Sequence, residues 1–176
     1  DAGNTGEFDG FVTLLEVDAN LPAAQEIAGT TVTAANVIDE LGKIVDQIPA
    51  ALYGKEDLYI YVSQNIYRAY IRALGGFGAN GVGANGVNGQ GNNQALGDLM
   101  FDGVKLFVAN GLPSNTAIAA EKSNLFFGTG LLSDHQEVKV IDMADVDGSQ
   151  NVRIVMRFTA GVQYAIVEDI VTYGIT

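Results

Sequence analysis

Cysteine, tryptophan and positive charge are scarce or missing in this sequence of 176 residues. It has no cysteine, no tryptophan, one histidine and three prolines, and it carries nine Lys and Arg residues against 21 Asp and Glu residues. Without cysteine, a disulfide framework, a thiolate zinc site and a cysteine nucleophile are excluded. A formal charge of −12 repels phosphate backbones and anionic membranes. We therefore expect no specific nucleic-acid partner and no membrane partner.

Long apolar runs are also missing. No stretch approaches the ~18 consecutive apolar residues that a membrane-spanning helix requires. Hydrophobic residues make up 48% of the sequence, which is enough for one core. We expect residues 1–176 to form a single compact domain.

The first helical pattern covers residues 34–48. Apolar residues recur there at steps of three and four, at Ala34, Val37, Ile38, Leu41, Ile44, Val45 and Ile48. We expect the opposite side of this helix to face solvent, with Asp39, Glu40, Lys43 and Asp46. Pro49 ends the helix because it has no amide hydrogen to donate and disfavours helical geometry at Ile48.

A strand followed by a second helix comes next. Leu58, Ile60 and Val62 alternate with two tyrosines, which predicts a strand. Ser63 is then the predicted N-cap of a helix that ends at Gly75. Its apolar stripe consists of Ile66, Tyr67, Tyr70, Ile71 and Leu74, and it lies opposite Arg68 and Arg72.

Later segments have the alternation of strands, at residues 104–108, 138–140 and 152–158. Helices early and strands late predict an α+β fold, in which short helices pack on a mostly antiparallel sheet.

Residues 75–97, GGFGANGVGANGVNGQGNNQALG, contain the spacing Gly-x-Gly-x-x-Gly twice. A dinucleotide-binding fingerprint has a strand before its glycines and a helix after them. Here a helix comes before, and no helical pattern follows. We expect a flexible Gly/Asn-rich loop. A nucleotide- or small-molecule-binding α+β enzyme that uses this loop stays as an alternative.

Asp142, Asp145 and Asp147 precede Gly148 and resemble part of a calcium loop. If Gly148 is sixth in the twelve-residue template, the last position is Ile154 instead of a glutamate. A hairpin turn between the two flanking strands explains the same residues, since Asp-Gly is a preferred turn dipeptide. A calcium-binding surface or adhesion module is the second alternative.

Two further groups of polar residues are weak candidates for chemistry. Ser133, Asp134 and His135 are consecutive, so their side chains diverge and cannot line up as a catalytic relay. Arg68 and Arg72 lie one helical turn apart and could bind an anion, although a solvated face or a subunit contact is favoured. The sequence therefore predicts no catalytic, cofactor or metal site and a protein that is not an enzyme.

The order of the segments, more than any one of them, resembles the tailed-phage major capsid proteins, whose fold encapsulins share. The segments are Phe8-Asp-Gly-Phe11, a helix ending in Gln47-Ile-Pro49, the strand and helix of residues 58–72, residues 101–108, Leu112-Pro113, and residues 124–130, 152–158 and 161–167. The resemblance implies the A-domain and an adjoining part of the P-domain. It also implies that residues 152–158 form a long strand and make a hairpin with residues 161–167.

For function, the resemblance implies a structural subunit that self-assembles into the icosahedral head shell of a tailed double-stranded DNA phage or prophage. Its partners would be copies of itself in pentamers and hexamers, with scaffold, portal or decoration proteins as further candidates. Its location would be the virion capsid, after assembly in the bacterial host cytoplasm. Family members carry a long spine helix before this region, and no such pattern precedes Phe8. We therefore expect this chain to be a fragment that starts after that helix.

Overall fold

The computed structural model describes residues 9–74, 99–129, 138–144, 148, 150–156 and 160–175. The Gly/Asn-rich loop predicted at 75–97 lies outside the described residues, as do Ser133, Asp134, His135, Asp145 and Asp147. The elements, in chain order, are α1 Phe11–Val17, β1 Glu26–Ile27, α2 Val37–Asp46, β2 Leu58–Val62, α3 Gln64–Ala73, β3 Met100–Phe101, β4 Val104–Val108, β5 Ala117–Glu121, β6 Leu125–Thr129, β7 Val138–Asp142, β8 Val152–Met156, β9 Ala160–Tyr164 and β10 Val171–Tyr173. None of the helices in these ranges is long and apolar enough to cross a membrane.

Six strands form the central sheet, in the order β1-β10-β5-β2-β4-β3. Three neighbouring pairs are antiparallel, while β1 runs parallel to β10 and β2 runs parallel to β4. The parallel pair β2 and β4 is joined by a crossover that includes α3, as parallel strands require. The predicted α+β class with short helices and mostly antiparallel sheets is confirmed. The central sheet is not confined to the second half of the chain, however, because β1 and β2 both come from the first half.

Two residues of helix α2 were predicted to lie on the wrong face of the helix. Val37, Leu41 and Ile44 are buried against the sheet as expected. Glu40 was predicted to face solvent, yet it is buried, whereas Ile38 was predicted to be in the core and is 49% exposed. The reason is geometric: position 40 follows Val37 by three residues and precedes Ile44 by four, so it shares their face.

The helix α3 begins and faces inward as predicted, but its cap differs. Ile66, Tyr67 and Tyr70 are buried, and both arginines are exposed. Ser63 precedes the helix, although its hydroxyl caps no backbone amide. Instead it donates a hydrogen bond of 2.7 Å to Oδ1 of Asn65.

The strand β5, with sequence AIAAE, was not predicted. Alanine has little preference for strands, so the segment gives no alternation signal. Both faces of β5 are buried: Ala117 and Ala119 belong to the core under α2 and α3, while Ile118 and Ala120 belong to a second core. That second core also contains Leu15 of α1, a short helix that no sequence pattern predicted.

Four further strands form two antiparallel pairs outside the central sheet, β6 with β9 and β7 with β8. The second pair is nested inside the first along the chain, so the four strands follow the order of one long hairpin. The expected hairpin between residues 152–158 and 161–167 is therefore wrong. In the described structure, Val152–Met156 pairs with β7 and Ala160–Tyr164 pairs with β6.

Candidate interaction surfaces

The strand pair β7 and β8 exposes an apolar face. Val140 lies opposite Ile154 in the register, and Val138 and Val152 occupy the neighbouring positions on the same face. Their exposed fractions are 54% for Val138, 67% for Val140, 60% for Val152 and 68% for Ile154. We call these four side chains the aliphatic ladder. Asp142 borders the ladder next to the turn.

The opposite face of this hairpin is mixed in character. Lys139 and Arg153 lie there, together with Ile141, whose side chain is 37% exposed. A two-stranded hairpin is marginally stable in water by itself, and exposed apolar patches mark interaction sites. The ladder is therefore the first candidate surface for a partner.

The strand pair β6 and β9 is fixed to the body of the domain at its base by Asn124. The Asn124 side chain donates a hydrogen bond of 2.7 Å to the carbonyl oxygen of Ile166. Its Oδ1 accepts hydrogen bonds from the backbone amides of Ala165 and Ile166, at 3.0 and 2.8 Å. No sequence pattern singled out this buried asparagine, whose role depends on residues about 40 positions away.

A second contact at this base joins β9 to the end of α1. The Tyr164 hydroxyl donates a hydrogen bond of 2.5 Å to Oδ2 of Asp18. Burial and this carboxylate together raise the pKa of Tyr164 to about 12. The hydroxyl thus stays protonated and donating at neutral pH. Farther out, Phe126 and Phe127 are both more than half exposed.

An apolar groove with a volume of about 700 Å³ lies between α1, the central sheet and the start of β6. None of its lining residues is charged, and the large ones include Phe11, Tyr61, Phe107, Leu112, Ile118 and Leu125. Phe107 is 48% exposed, and its ring meets that of Tyr61 edge-on at 5.9 Å. We call this feature the apolar groove. Its volume is within the range of pockets that hold ligands.

A third feature is a polar cleft, also of about 700 Å³, beside Arg68 and Arg72. Neither arginine forms a hydrogen bond or an ion pair with another residue of the described ranges. Hydrogen bonds join the segments that form the wall of the cleft: Asn65 donates one of 2.6 Å to Oδ1 of Asn115, which also accepts one from the Val32 amide. The two arginines can bind an anion, as the sequence suggested, and they can equally well form ion pairs with an acidic surface of another protein.

The residues predicted to be poor candidates for chemistry are only partly described. Asp142 accepts a hydrogen bond of 2.9 Å from the Ala144 amide, as a turn residue does. The predicted hairpin between the strands that contain Val138 and Ile154 is confirmed. Within the described ranges no three His, Cys, Asp or Glu side chains come together as metal ligands. Asp145 and Asp147, the other two candidate calcium ligands, lie outside those ranges.

Comparison with known proteins gives a fold and no family. No family model matches the chain, and no curated protein matches it. Six chains of solved structures do match, among them a chain from Mycobacterium phage Che8 with a TM-score of 0.55 and 13% sequence identity. The match covers 92% of this chain and 56% of the phage chain, so this chain spans just over half the length of that one. At this identity the likeness shows a shared fold.

Proposed function

We propose that this chain is part of the major capsid protein of a tailed double-stranded DNA phage or prophage. In this proposal copies of the chain associate in pentamers and hexamers and build the icosahedral head shell. The protein acts by association instead of catalysis, and its location is the virion capsid after assembly in the bacterial cytoplasm. Scaffold, portal or decoration proteins are its further candidate partners.

The observation that carries the proposal is the likeness to a phage chain over 92% of the residues. The likeness agrees with the segment order from which the sequence resembled tailed-phage capsid proteins. A shared fold does not by itself give a function, so the surfaces must support it as well.

The exposed surfaces support association. More than half of the large hydrophobic side chains that are exposed in the described ranges lie on the four hairpin strands, namely Phe126, Phe127, Val138, Val140, Ile141, Val152 and Ile154. A capsid subunit repeats modest contacts over many identical interfaces, so each contact can be weak while the shell is stable. We further propose that residues 1–176 act as one domain, which corresponds to the A-domain and part of the P-domain.

Production of the full-length protein in bacteria, followed by sedimentation and negative-stain microscopy, tests the proposal. We expect closed, uniform particles. Full-length protein that stays monomeric at high concentration, alone and with any scaffold protein encoded in the same genome, contradicts the proposal. Thermal stabilisation of that monomer by ATP, NAD or calcium would then favour one of the two alternatives.

A further inference from the structure

We infer that the aliphatic ladder of one copy docks into the apolar groove of a second copy, in a head-to-tail contact. The inference rests on the proposed assembly function and deepens it, because it names the two surfaces that meet. The ladder is Val138, Val140, Val152 and Ile154 on the β7–β8 hairpin, and the groove lies between α1, the central sheet and the start of β6.

The charge of the molecule restricts where two copies can meet. With 21 acidic and nine basic side chains, copies repel one another across most of their surfaces. The ladder side chains are aliphatic, with Asp142 at the turn end as the charged residue on that face of the described strands, and no charged residue lines the groove; Lys139 and Arg153 lie on the other face of the hairpin. Ladder and groove are therefore surfaces through which two copies of an acidic chain can come together without pairing like charges.

The size of the ladder agrees with a contact between subunits. Side chains exposed to this extent present an apolar patch on the order of 400 Å², about half of what one partner contributes to a standard interface. Phe126 and Phe127 on β6 are exposed as well, on opposite faces of that strand. A contact of this size is weak in isolation and suits a shell in which it is repeated many times.

The shapes of the two surfaces favour a contact between unlike patches. The ladder projects from a two-stranded hairpin, while the groove is concave and has a volume of about 700 Å³. A contact between two different patches is heterologous, and it closes into a ring when the rotation between copies allows. The proposed pentamers and hexamers are rings of this kind.

Two variants of the full-length protein separate the two halves of the contact. Val140→Lys with Ile154→Glu makes the ladder polar and places opposite charges across the strands, which preserves the hairpin. Phe107→Lys places a charge at the groove. Each variant alone is expected to weaken self-association at least about tenfold in sedimentation velocity, as the loss of a central interface residue does.

The matched controls change the same strand or the same sheet away from the contact. Ile141→Glu lies on the other face of the hairpin, where Arg153 is its cross-strand partner. Met100→Lys is on β3 beside β4, and Met100 is 49% exposed, about as much as Phe107, but it does not line the groove. Both controls are expected to associate as the unchanged protein does.

Mixing the two association-deficient proteins gives the decisive result. The groove of the ladder variant and the ladder of the groove variant are both intact, so a head-to-tail contact predicts dimers that contain one of each and grow no further. If Phe107→Lys alone still forms dimers through its ladder, or if the mixture stays monomeric, the inference is wrong. If the ladder variant lowers the melting temperature and leaves association unchanged, the ladder is covered within one molecule and the inference is also wrong.

A crosslink gives a second readout that does not depend on the charged variants. The sequence has no cysteine, so Val140→Cys in one copy and Phe107→Cys in another can be oxidised without background. A disulfide should form on mixing the two proteins and in neither protein alone, and its absence in assembled protein counts against the docking. Closed particles without this crosslink would contradict the docking inference and leave the proposed function intact. Crosslinked dimers without particles would support the docking and contradict the proposed function.

Discussion

The Tyr173 hydroxyl donates a hydrogen bond of 2.8 Å to Oε2 of Glu40 and so connects strand β10 of the central sheet to α2. Both residues are buried. The other carboxylate oxygen accepts a hydrogen bond of 2.8 Å from Lys43, and the Thr30 amide donates to the Tyr173 hydroxyl. A carboxylate in a core is tolerated only with such partners. The pair therefore explains why a glutamate occupies the inner face of α2.

Removal of the Tyr173 hydroxyl should destabilise the fold. Tyr173→Phe leaves the buried carboxylate with one hydrogen bond fewer, and we expect the free energy of unfolding to fall by about 1–3 kcal/mol. Urea denaturation measures the change. Tyr53→Phe is the control, because the Tyr53 hydroxyl bonds to the Asp102 carbonyl on the surface. Equal losses in both variants would contradict a special role for the buried pair.

Glu40 should also make stability depend on pH. Burial raises the pKa of Glu40, but hydrogen bonds from Lys43 and Tyr173 lower it, and the net shift is downward. A carboxyl with a lower pKa in the folded state contributes stability above its unfolded pKa, and this contribution is lost as the pH falls below about 4.3.

Melting temperatures between about pH 3 and about pH 6 test this dependence, since the window spans the usual glutamate pKa. Glu40→Gln should flatten the acid side of the profile. Asp39→Asn, an exposed change on the same helix, is the control and should leave its shape unchanged. A Glu40→Gln profile as steep as that of the unchanged protein would show that other carboxylates dominate the acid transition.

The inner face of α2 can be tested by truncation. Ile44 is 1% exposed and Ile38 is 49% exposed on the same helix. We expect Ile44→Ala to lower the free energy of unfolding by about 2–5 kcal/mol because it leaves a cavity in the core. Ile38→Ala should cost less than about 1 kcal/mol, since surface substitutions usually change little. The opposite ranking in chemical denaturation would reverse the assignment of the two faces.

Gly174 allows a close approach of three chain segments after β10. Its φ is +69°, and a Cβ there would lie 2.5 Å from the carbonyl oxygen of Asn115. Gly54 also has a positive φ, of +89°, but has open space around it. Gly174→Ala should therefore lower the free energy of unfolding by about 1–3 kcal/mol more than Gly54→Ala does, because only the first change also overpacks. Similar thermal shifts for the two variants would show that the segments separate easily.

The sequence predicted the elements whose pattern is local. β2, α2, α3 and β4 were found because alternation and helical periodicity reflect burial of one face. It missed β5, whose alanines are needed because both faces of that strand are packed. Glu40 was predicted to face solvent, because its buried carboxylate accepts a hydrogen bond from Tyr173, 133 positions away, and no local pattern shows that contact.

The candidate surfaces were less predictable than the fold. The aliphatic ladder is visible as alternation in residues 138–140 and 152–158, but alternation alone predicts a half-buried strand, and all four ladder residues are exposed. The apolar groove combines residues from α1, β2, β4 and the segment before β5, so no motif marks it. The pairing of β8 with β7 was predicted from the Asp-Gly turn between them. The pairing of β9 with β6 was not, because the two strands are far apart along the chain and no short turn joins them.

Cryo-electron microscopy of particles formed by the full-length protein tests the central claim most directly. The account predicts a closed shell in which the six-stranded sheet and its helices occupy each subunit of five- and six-membered rings. A shell without this fold at the subunit positions, or full-length protein that forms no particles under any assembly condition, would contradict the proposed capsid function.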